Sequence, residues 1–470
     1  MVNMQSEEFR AAAHQTVDWM ADYLRDVGDY PVLPAVKPGD LIHQLPASGP
    51  EQGEPMDQIL RDFRELIIPG VTHWNHPRFF GYFSNSASGP GILGEMLAAT
   101  LNVNHMLWKS GPSATELEQV TLGWLRQWLG LPTEFFGIIH DTASTSTMHA
   151  VIAAREATVG EVRLTGDFPR LVLYTSEHAN LSVDRAALAA GVGLHNIRHI
   201  PVDPAFRMRP EALAAAIEED LRAGKKPFCV VPTLGTTSSA SADPLPAIAE
   251  IAHRFGLWLH VDAAYAGPAA ILEEYRHILD GAALADSLVL NPHKWLVTPM
   301  DLSVLYTRRP EVFRRALSLE ETPAYLKNTM EQKVGEETAI NFSEYSVSLG
   351  RRFRALKLWF VLRSYGREGI ANILRGHIRM ARELGEAIRC DPYFELASVE
   401  FSLVCFRLKA SDQRNRELLE SINATGHAFL TGTTLNGKFT LRVAIGNIAT
   451  TSEDIASTWS KIREFGLASV

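Results

Sequence analysis

Two residues, Lys294 and Asp262, have the types and settings needed for chemistry. Lys294 lies in Asn291-Pro292-His293-Lys294-Trp295, directly after the apolar run Ser287-Leu288-Val289-Leu290. That run has the length and composition of a buried strand. A lysine just past a buried strand can be desolvated and held near neutral, and a neutral amine attacks an aldehyde to form a Schiff base. The ordinary alternative is a strand-end lysine that reaches back to water, which is the better reading of any lone lysine. Asp262 shifts the balance. It ends a second apolar run, Leu257-Trp258-Leu259-His260-Val261, where a buried carboxylate can keep a heterocyclic nitrogen protonated.

A third feature is Ile138-Ile139-His140-Asp141-Thr142-Ala143-Ser144-Thr145-Ser146-Thr147, which leads into a helical pattern over 148–158. Small hydroxyl residues before a helix serve first as N-caps. The same arrangement also makes a phosphate site, because free N–H groups and hydroxyls converge at a positive helix end. A fourth is the aromatic stretch Trp74-Asn75-His76-Pro77-Arg78-Phe79-Phe80-Gly81-Tyr82-Phe83-Ser84-Asn85. It reads either as a satellite apolar cluster or as the wall of a pocket for an aromatic ligand.

The elements that must position these residues alternate. Strands are expected at 171–175, 199–202, 228–232, 257–262 and 287–290, and helices at 182–190, 210–223 and 244–255. Such alternation predicts an α/β fold with a mostly parallel sheet covered on both faces. Ligands bind beyond the carboxyl ends of the strands in sheets of this kind, which is where Asn180, Thr233, Asp262 and Lys294 fall. Ahead of this region, Phe9, Ala13, Val17, Met20 and Leu24 mark an amphipathic helix over 6–27 that needs a packing partner. A Pro- and Gly-rich stretch, 30–55, reads as extended linker before a helix at 56–66, with further helices at 91–101 and 115–129. Residues 318–345 are polar and aperiodic, as in a lid. Beyond them come helices at 353–365 and 369–388, then strands near 395–408 and 439–444, a smaller α+β region. The expected division is an N-terminal helical segment (1–85), a large α/β domain (86–365) and a small C-terminal α+β domain (366–470).

Composition excludes several classes. The chain has 470 residues, 46% apolar and 21% charged, with a net charge of −9. That balance argues against a nucleic-acid surface. No apolar run approaches the ~18 residues of a membrane span, and no secretory signal is visible at the N-terminus. Cys229, Cys390 and Cys405 have no metal-site spacing and read as reduced thiols of a cytoplasmic protein without a metal.

Lys294 and Asp262 together are the pair that pyridoxal phosphate enzymes need, one for the aldehyde and one for the pyridine nitrogen. The surrounding motifs carry a resemblance. Asn291-Pro292-His293-Lys294-Trp295, His260-Val261-Asp262-Ala263-Ala264-Tyr265-Ala266-Gly267, Thr233-Leu234-Gly235-Thr236-Thr237 and Leu349-Gly350-Arg351-Arg352-Phe353-Arg354 are similar to those of the group II pyridoxal phosphate decarboxylases. Within that group the chain most resembles the aromatic-L-amino-acid decarboxylases, over nearly its whole length. The resemblance implies the fold type I, transferase-like architecture of such enzymes and a homodimer with its active site at the subunit interface.

The resemblance also implies roles. Lys294 takes the place of the Schiff-base lysine, His293 helps to fix the cofactor, and Asp262 partners the pyridine nitrogen. Ala264 is the small residue under the ring, Thr233 lies on the ring's hydroxyl side, and Thr142, Ala143, Ser144 and Asn291 form the phosphate cradle. Tyr325 matches the loop tyrosine that returns a proton to the substrate carbon; relatives with phenylalanine there tend to be aldehyde synthases. Trp74, Tyr82, Phe83 and Asn85 resemble pocket walls, while Asn104, Met106 and Gly350 resemble parts lent by the second subunit. In plant relatives glycine at the Gly350 position goes with indole substrates and serine with phenols. Two positions depart from the pattern. Asn180 stands where a histidine usually stacks on the cofactor, with His178 two residues earlier, and Asn85 replaces a threonine. The implied reaction is decarboxylation of an aromatic L-amino acid to its amine. The alternatives are an aromatic aldehyde synthase, a decarboxylase of a non-aromatic amino acid, or a fold of this kind retained only for binding.

Overall fold

The computed structural model describes residues 4–318, 333–334 and 337–468. Its contacts divide the chain into a larger unit, Asn85–Arg382 with Ser398–Val404, and a smaller one, Met1–Ser84 with Glu383–Ala397 and Cys405–Val470.

Seven strands form the central sheet: β1 (Phe136–His140), β2 (Leu171–Ser176), β3 (Ile197–Ile200), β4 (Lys226–Val231), β5 (Trp258–Asp262), β6 (Ser287–Leu290) and β7 (Ser303–Thr307). Their order is β1-β7-β6-β5-β4-β2-β3. The pairings from β3 across to β6 are parallel, as strand-helix alternation demands. β7 runs antiparallel to both β6 and β1. β1 and β7 were not separable by sequence pattern, since Ile138-Ile139-His140 and Ser303–Thr307 are short runs without flanking helix signals. β2, β5, β6 and β7 are buried at every position. This is why they read as continuous apolar runs and not as alternating ones.

The helix Ala143–Val159 crosses one face of the sheet. Ala150, Val151, Ala153 and Ala154 are completely buried in the core it shares with Leu173, Val231 and Val289. Small side chains there let the helix axis approach the sheet closely. The helix starts at Ala143, earlier than the apolar period suggested, so the hydroxyl residues form its first turns. The 30–55 stretch is also less extended than expected, because Asp40–Gln44 form a short helix. A positive φ of 66° at Gly256 closes the turn into β5, and one of 93° at Gly235 lies in the loop after β4. At Gly235 a Cβ would lie 2.7 Å from the Ala266 Cβ, so only glycine lets these two segments meet.

In the smaller unit, none of the residues of the helix Ser6–Asp26 is buried. Trp19 stacks on Tyr23 at 5.2 Å and meets Phe63 edge-on at 4.8 Å, while Phe9, Val17 and Leu24 stay exposed. After the loop pair β8 (Lys333–Val334) and β9 (Glu337–Thr338), a second sheet is built from β10 (Phe394–Glu400), β11 (Leu403–Leu408), β12 (Thr431–Leu435) and β13 (Lys438–Ala444), in the order β10-β11-β13-β12. Helices Asp412–Ala424 and Ser452–Leu467 accompany it, the second closed by a Thr451–Asp454 capping box. The long helical run Ala355–Arg389 is broken at Gly366, where φ is 63°, which separates the two helices the sequence suggested.

One buried carboxylate ties three parts of the larger unit together. Glu118, on the helix Pro112–Leu129, is fully buried. It accepts hydrogen bonds from the Ile139 N–H at 2.8 Å and the Arg351 Nη2 at 2.7 Å, and its Oε2 lies 3.1 Å from the His105 Nε2. Burial opposes its charge, but Arg351, His105 and the Ile139 N–H together hold its pKa below the usual value. Removing one member of a buried pair leaves an uncompensated charge. Glu118→Ala is therefore expected to lower unfolding free energy by about 3–5 kcal/mol, read from urea denaturation. A loss under about 1 kcal/mol, the scale of an exposed pair, would show that Arg351 does not depend on it.

Candidate active site

The carboxyl ends of β5 and β6 bring the sequence-selected residues together. Asp262 ends β5, and Lys294 sits in the single helical turn Pro292–Trp295 that follows β6. The main chain fixes this geometry. The Asp262 N–H donates to Pro232 O at 2.9 Å, the Leu234 N–H to Asp262 O at 2.7 Å, and the Asn291 N–H to Ala264 O at 3.1 Å. Thr233 and Asp262 form a parallel bridge. Thr233, Asp262, Ala264, Asn291, His293 and Lys294 thus share one edge of the sheet.

Electrostatics there run in two directions. Burial raises the pKa of Asp262, opposed by Lys294 and by the Ala264 N–H, which donates to its Oδ1 at 3.1 Å. Burial lowers the pKa of Lys294, opposed by Asp262. His293 is buried, and its pKa is pushed down to about 3 by desolvation and by Lys294. Its Nδ1 accepts the Leu302 N–H at 3.0 Å, so it is a neutral ring with a fixed tautomer. Trp295 stacks on Tyr265 at 5.0 Å and donates from Nε1 to His377 Nδ1 at 3.1 Å. Those contacts hold the helical turn in place.

Two buried polar atoms at this edge find no hydrogen-bond partner among the described residues: Thr233 Oγ1 and Asn291 Oδ1. Buried polar groups are satisfied almost without exception, so a cluster of orphans next to Asp262 and Lys294 marks the place of a polar ligand. The helix Ala143–Val159 adds to it. No side chain caps its N-terminus, and Thr142 occupies the N-cap position. Ala143 is buried, Thr142 partly buried and Ser144 exposed. Free N–H groups at a positive helix end, together with two hydroxyls, suit a phosphate. A ring bearing a hydroxyl, a basic nitrogen, an aldehyde and a phosphate fits this donor and acceptor set.

Asn180 is committed elsewhere. It caps the helix Leu181–Ala189, its Oδ1 accepting the Ser182 N–H at 2.9 Å, while its Nδ2 donates to Thr237 Oγ1 at 3.0 Å. His178 stacks against Phe206 at 5.6 Å. Asn104 and Gly350 are neighbours, the Asn104 Oδ1 accepting the Arg351 N–H at 2.9 Å. The Met106 carbonyl accepts the Ser343 N–H at 3.1 Å. Asn85 Nδ2 faces Met300 Sδ at 3.4 Å. In the smaller unit, Trp74 stacks on Tyr82 at 5.7 Å and Phe83 lies under the Arg442 guanidinium at 5.6 Å. Tyr325 lies outside the described residues.

Two features escaped sequence reading. Asp243 is buried beneath Thr233, accepting the Thr233 N–H at 2.8 Å and the Met208 N–H at 2.7 Å, and desolvation pushes its pKa up to about 6. Its position before Pro244 gave only a helix-start signal. The other is a stacked imidazole pair, His140 and His149, 4.5 Å apart. His149 Nδ1 donates to Thr145 O at 2.7 Å and its Nε2 accepts the Val347 N–H at 2.8 Å, fastening the segment before Gly350 to the helix Ala143–Val159. Among the described residues, no group of three or more His, Cys, Asp or Glu side chains is arranged to hold a metal.

The His149 clasp needs a neutral ring. Burial pushes its pKa from 6.5 down to about 4. Above 6.5 neither folded nor unfolded ring is charged; as pH falls through 6.5 toward 4, only the unfolded chain takes up the proton. Stability is therefore lost on acidification in that window, by about 3 kcal/mol for this ring. Urea denaturation from pH 7 to 4.5 is expected to show a shallower decline for His149→Gln than for the wild type. Equal slopes would refute this assignment.

Comparison with known proteins bears directly on this site. Residues 38–409 match the family described as the pyridoxal-dependent decarboxylase conserved domain. The chain is 40% identical to phenylacetaldehyde synthase of Arabidopsis thaliana, over 98% of this chain and 96% of that one. Its fold superposes on the crystal structure of Catharanthus roseus tryptophan decarboxylase in complex with L-tryptophan with a TM-score of 0.93, at 38% identity and 99% coverage of both chains. It superposes equally well, at 36% identity and again 99% of both chains, on an Oryza sativa structure described as TDC with PLP and tryptamine. The orphaned polar edge around Lys294 thus lies in a chain that belongs to the pyridoxal-dependent decarboxylases.

Proposed function

We propose that this enzyme removes the carboxylate of an aromatic L-amino acid and releases the amine. The observation that carries the reading is the mutually opposed pair Asp262 and Lys294 at adjacent strand ends, surrounded by unpaired buried polar atoms. Bound pyridoxal phosphate supplies an aldehyde for the substrate amine and a ring that accepts the electron pair left when carbon dioxide departs.

The chain's own groups do the rest. Lys294, made less basic by burial, offers an amine that gives up its proton more readily than an exposed lysine does. Asp262 holds the proton on the ring nitrogen, its own charge favoured by the cation it faces. Thr233 Oγ1 meets the ring hydroxyl side, and Asn291 Oδ1 is an acceptor next to the phosphate cradle of Thr142, Ala143 and Ser144. His293 braces the turn carrying Lys294, and Ala264 leaves room beneath the ring. Tyr325 gives a proton to the α-carbon after the carboxylate has gone. Asn85, Asn104, Met106 and Gly350 shape the side-chain pocket, with part of each pocket contributed by a second copy of the chain. Asn180 or His178 faces the cofactor ring where relatives carry a stacking histidine. We assign the enzyme to the cytoplasm, acting without a metal; no helix among the described residues is long and apolar enough to cross a membrane.

A second reading, decarboxylation coupled to oxidative deamination, is favoured by the 40% identity to a phenylacetaldehyde synthase. Tyr325 separates the two. Incubation of the holoenzyme with phenylalanine, tyrosine, tryptophan and glutamate, followed by chromatography and a peroxide assay, is expected to give aromatic amines without peroxide, and nothing from Lys294→Ala. Tyr325→Phe is expected to divert product in air toward aldehyde, ammonia and peroxide with little change in KM. Amine formation by that variant at the wild-type rate would exclude Tyr325 as proton donor, and aldehyde from the wild type would establish the second reading.

The homodimer rests on the exposed apolar face of the helix Ser6–Asp26, where Phe9 is 60% exposed. An isolated amphipathic helix is marginal in water, and a large uncovered apolar face marks an interface. Light scattering of active enzyme is expected to give twice the mass of one chain; the mass of a single chain would overturn the assignment.

A further inference from the structure

The opposite end of the same sheet holds a cavity of about 730 Å³, formed where β4 and β5 begin and β7 ends. It contains none of the residues assigned to catalysis. Its charge is out of character for the chain. Lys225, Lys226, Arg308 and Arg309 all line it, against the single carboxylate of Asp286, in a protein of net charge −9.

The four cations are not neutralised alike. Lys225 is paired with Asp220 at 2.8 Å. Arg309 sits 3.5 Å from Asp286 and 3.4 Å from Glu311. Lys226 Nζ donates to the Thr158 carbonyl at 3.0 Å, while Arg308 donates to the Ala285 and Leu284 carbonyls at 2.9 and 3.2 Å. Carbonyl partners orient those two cations without cancelling their charge. Asp286 is itself engaged, accepting the Leu259 N–H at 2.9 Å. The walls between the charges are apolar, with Trp258 beneath the Arg309 guanidinium at 5.6 Å and Leu221 and Leu284 exposed at the rim. A concave, half-apolar space with convergent fixed cations is how small anionic ligands are held.

We propose that this cavity binds a small phosphate ester with an apolar or ring-bearing body, the dianion meeting Lys226, Arg308 and Arg309 and the body lying along the rim of Leu221 and Leu284. The ligand would be seated far from Lys294, at the opposite end of β5. Lys226 and Arg308, held by carbonyls and not by carboxylates, also select against cationic amines, so neither substrate amine nor product is the occupant.

The test uses holoenzyme freed of excess cofactor, titrated calorimetrically at low ionic strength with adenosine 5′-monophosphate, with adenosine, and with inorganic phosphate. The monophosphate is expected to bind saturably, roughly tenfold or more tighter than adenosine or phosphate alone, and more weakly as salt is added. Lys226→Glu and Arg309→Glu, both at solvent-accessible positions, are each expected to weaken it by about tenfold or more while leaving amino-acid turnover and cofactor absorbance unchanged. Saturable binding that neither variant alters, binding of adenosine as tight as that of the monophosphate, or loss of cofactor absorbance during titration would each overturn the proposal. So would the lack of saturable binding by the wild type. None of these outcomes touches the assignment of Lys294.

Discussion

Asp262 and Lys294 are two charged groups drawn out of water on neighbouring strands, and each makes the other tolerable. Burial alone would neutralise both, raising one pKa and lowering the other; their mutual attraction opposes each shift. The balance leaves a lysine less basic and a carboxylate less acidic than their exposed counterparts. Such a pair persists only inside a rigid, dry frame, because water would screen the attraction and restore ordinary values. The strands on which the two residues depend are accordingly buried along their entire length. The backbone bonds between Asp262, Leu234 and Pro232 allow no slack.

The same economy governs the polar atoms around the pair. Some buried polar groups of the larger unit close on one another: Glu118 gathers Arg351, His105 and the Ile139 N–H, and Thr236, Ser239 and Ser241 form a small hydroxyl cluster with contacts of 3.0–3.1 Å. At the site, Thr233 and Asn291 keep a side-chain oxygen unpaired. An unpaired buried group costs free energy in the empty protein and returns it on binding.

Sequence pattern revealed the parallel half of the sheet and the lysine and aspartate at its edge, because buried strands of Val, Leu and Ile stand out and because strand ends are where such residues act. It did not reveal β1 or β7. Their residues are no less apolar, but antiparallel pairing to distant partners leaves no local period. Glu118 could have been found: it occupies the apolar stripe of its helix four residues before Leu122, where a carboxylate needs a buried cation. Asp243 could not, since its neighbours Ser241, Ala242 and Pro244 suggest a turn and nothing more. Asn180 looked like a replacement for a stacking ring, and only the coordinates show its amide spent on Ser182 and Thr237. The helix Ala143–Val159 began earlier than its apolar period, because Ser and Thr in a first turn hide a helix that tertiary packing enforces.

The position of β1 has a consequence for synthesis of the chain. β1 lies at the sheet edge and pairs with β7 alone, Phe136 opposite Thr307 and His140 opposite Ser303. A ribosome delivers residues 136–140 long before residues 303–307, so throughout that interval the nascent strand has no partner in its own sheet. Contacts of such long sequence separation form late and slowly, and an apolar strand kept waiting is a site for wrong association. The helix Ala143–Val159 starts three residues past β1 and packs against β7 as well, so its N-terminal turn settles only after β7 has emerged.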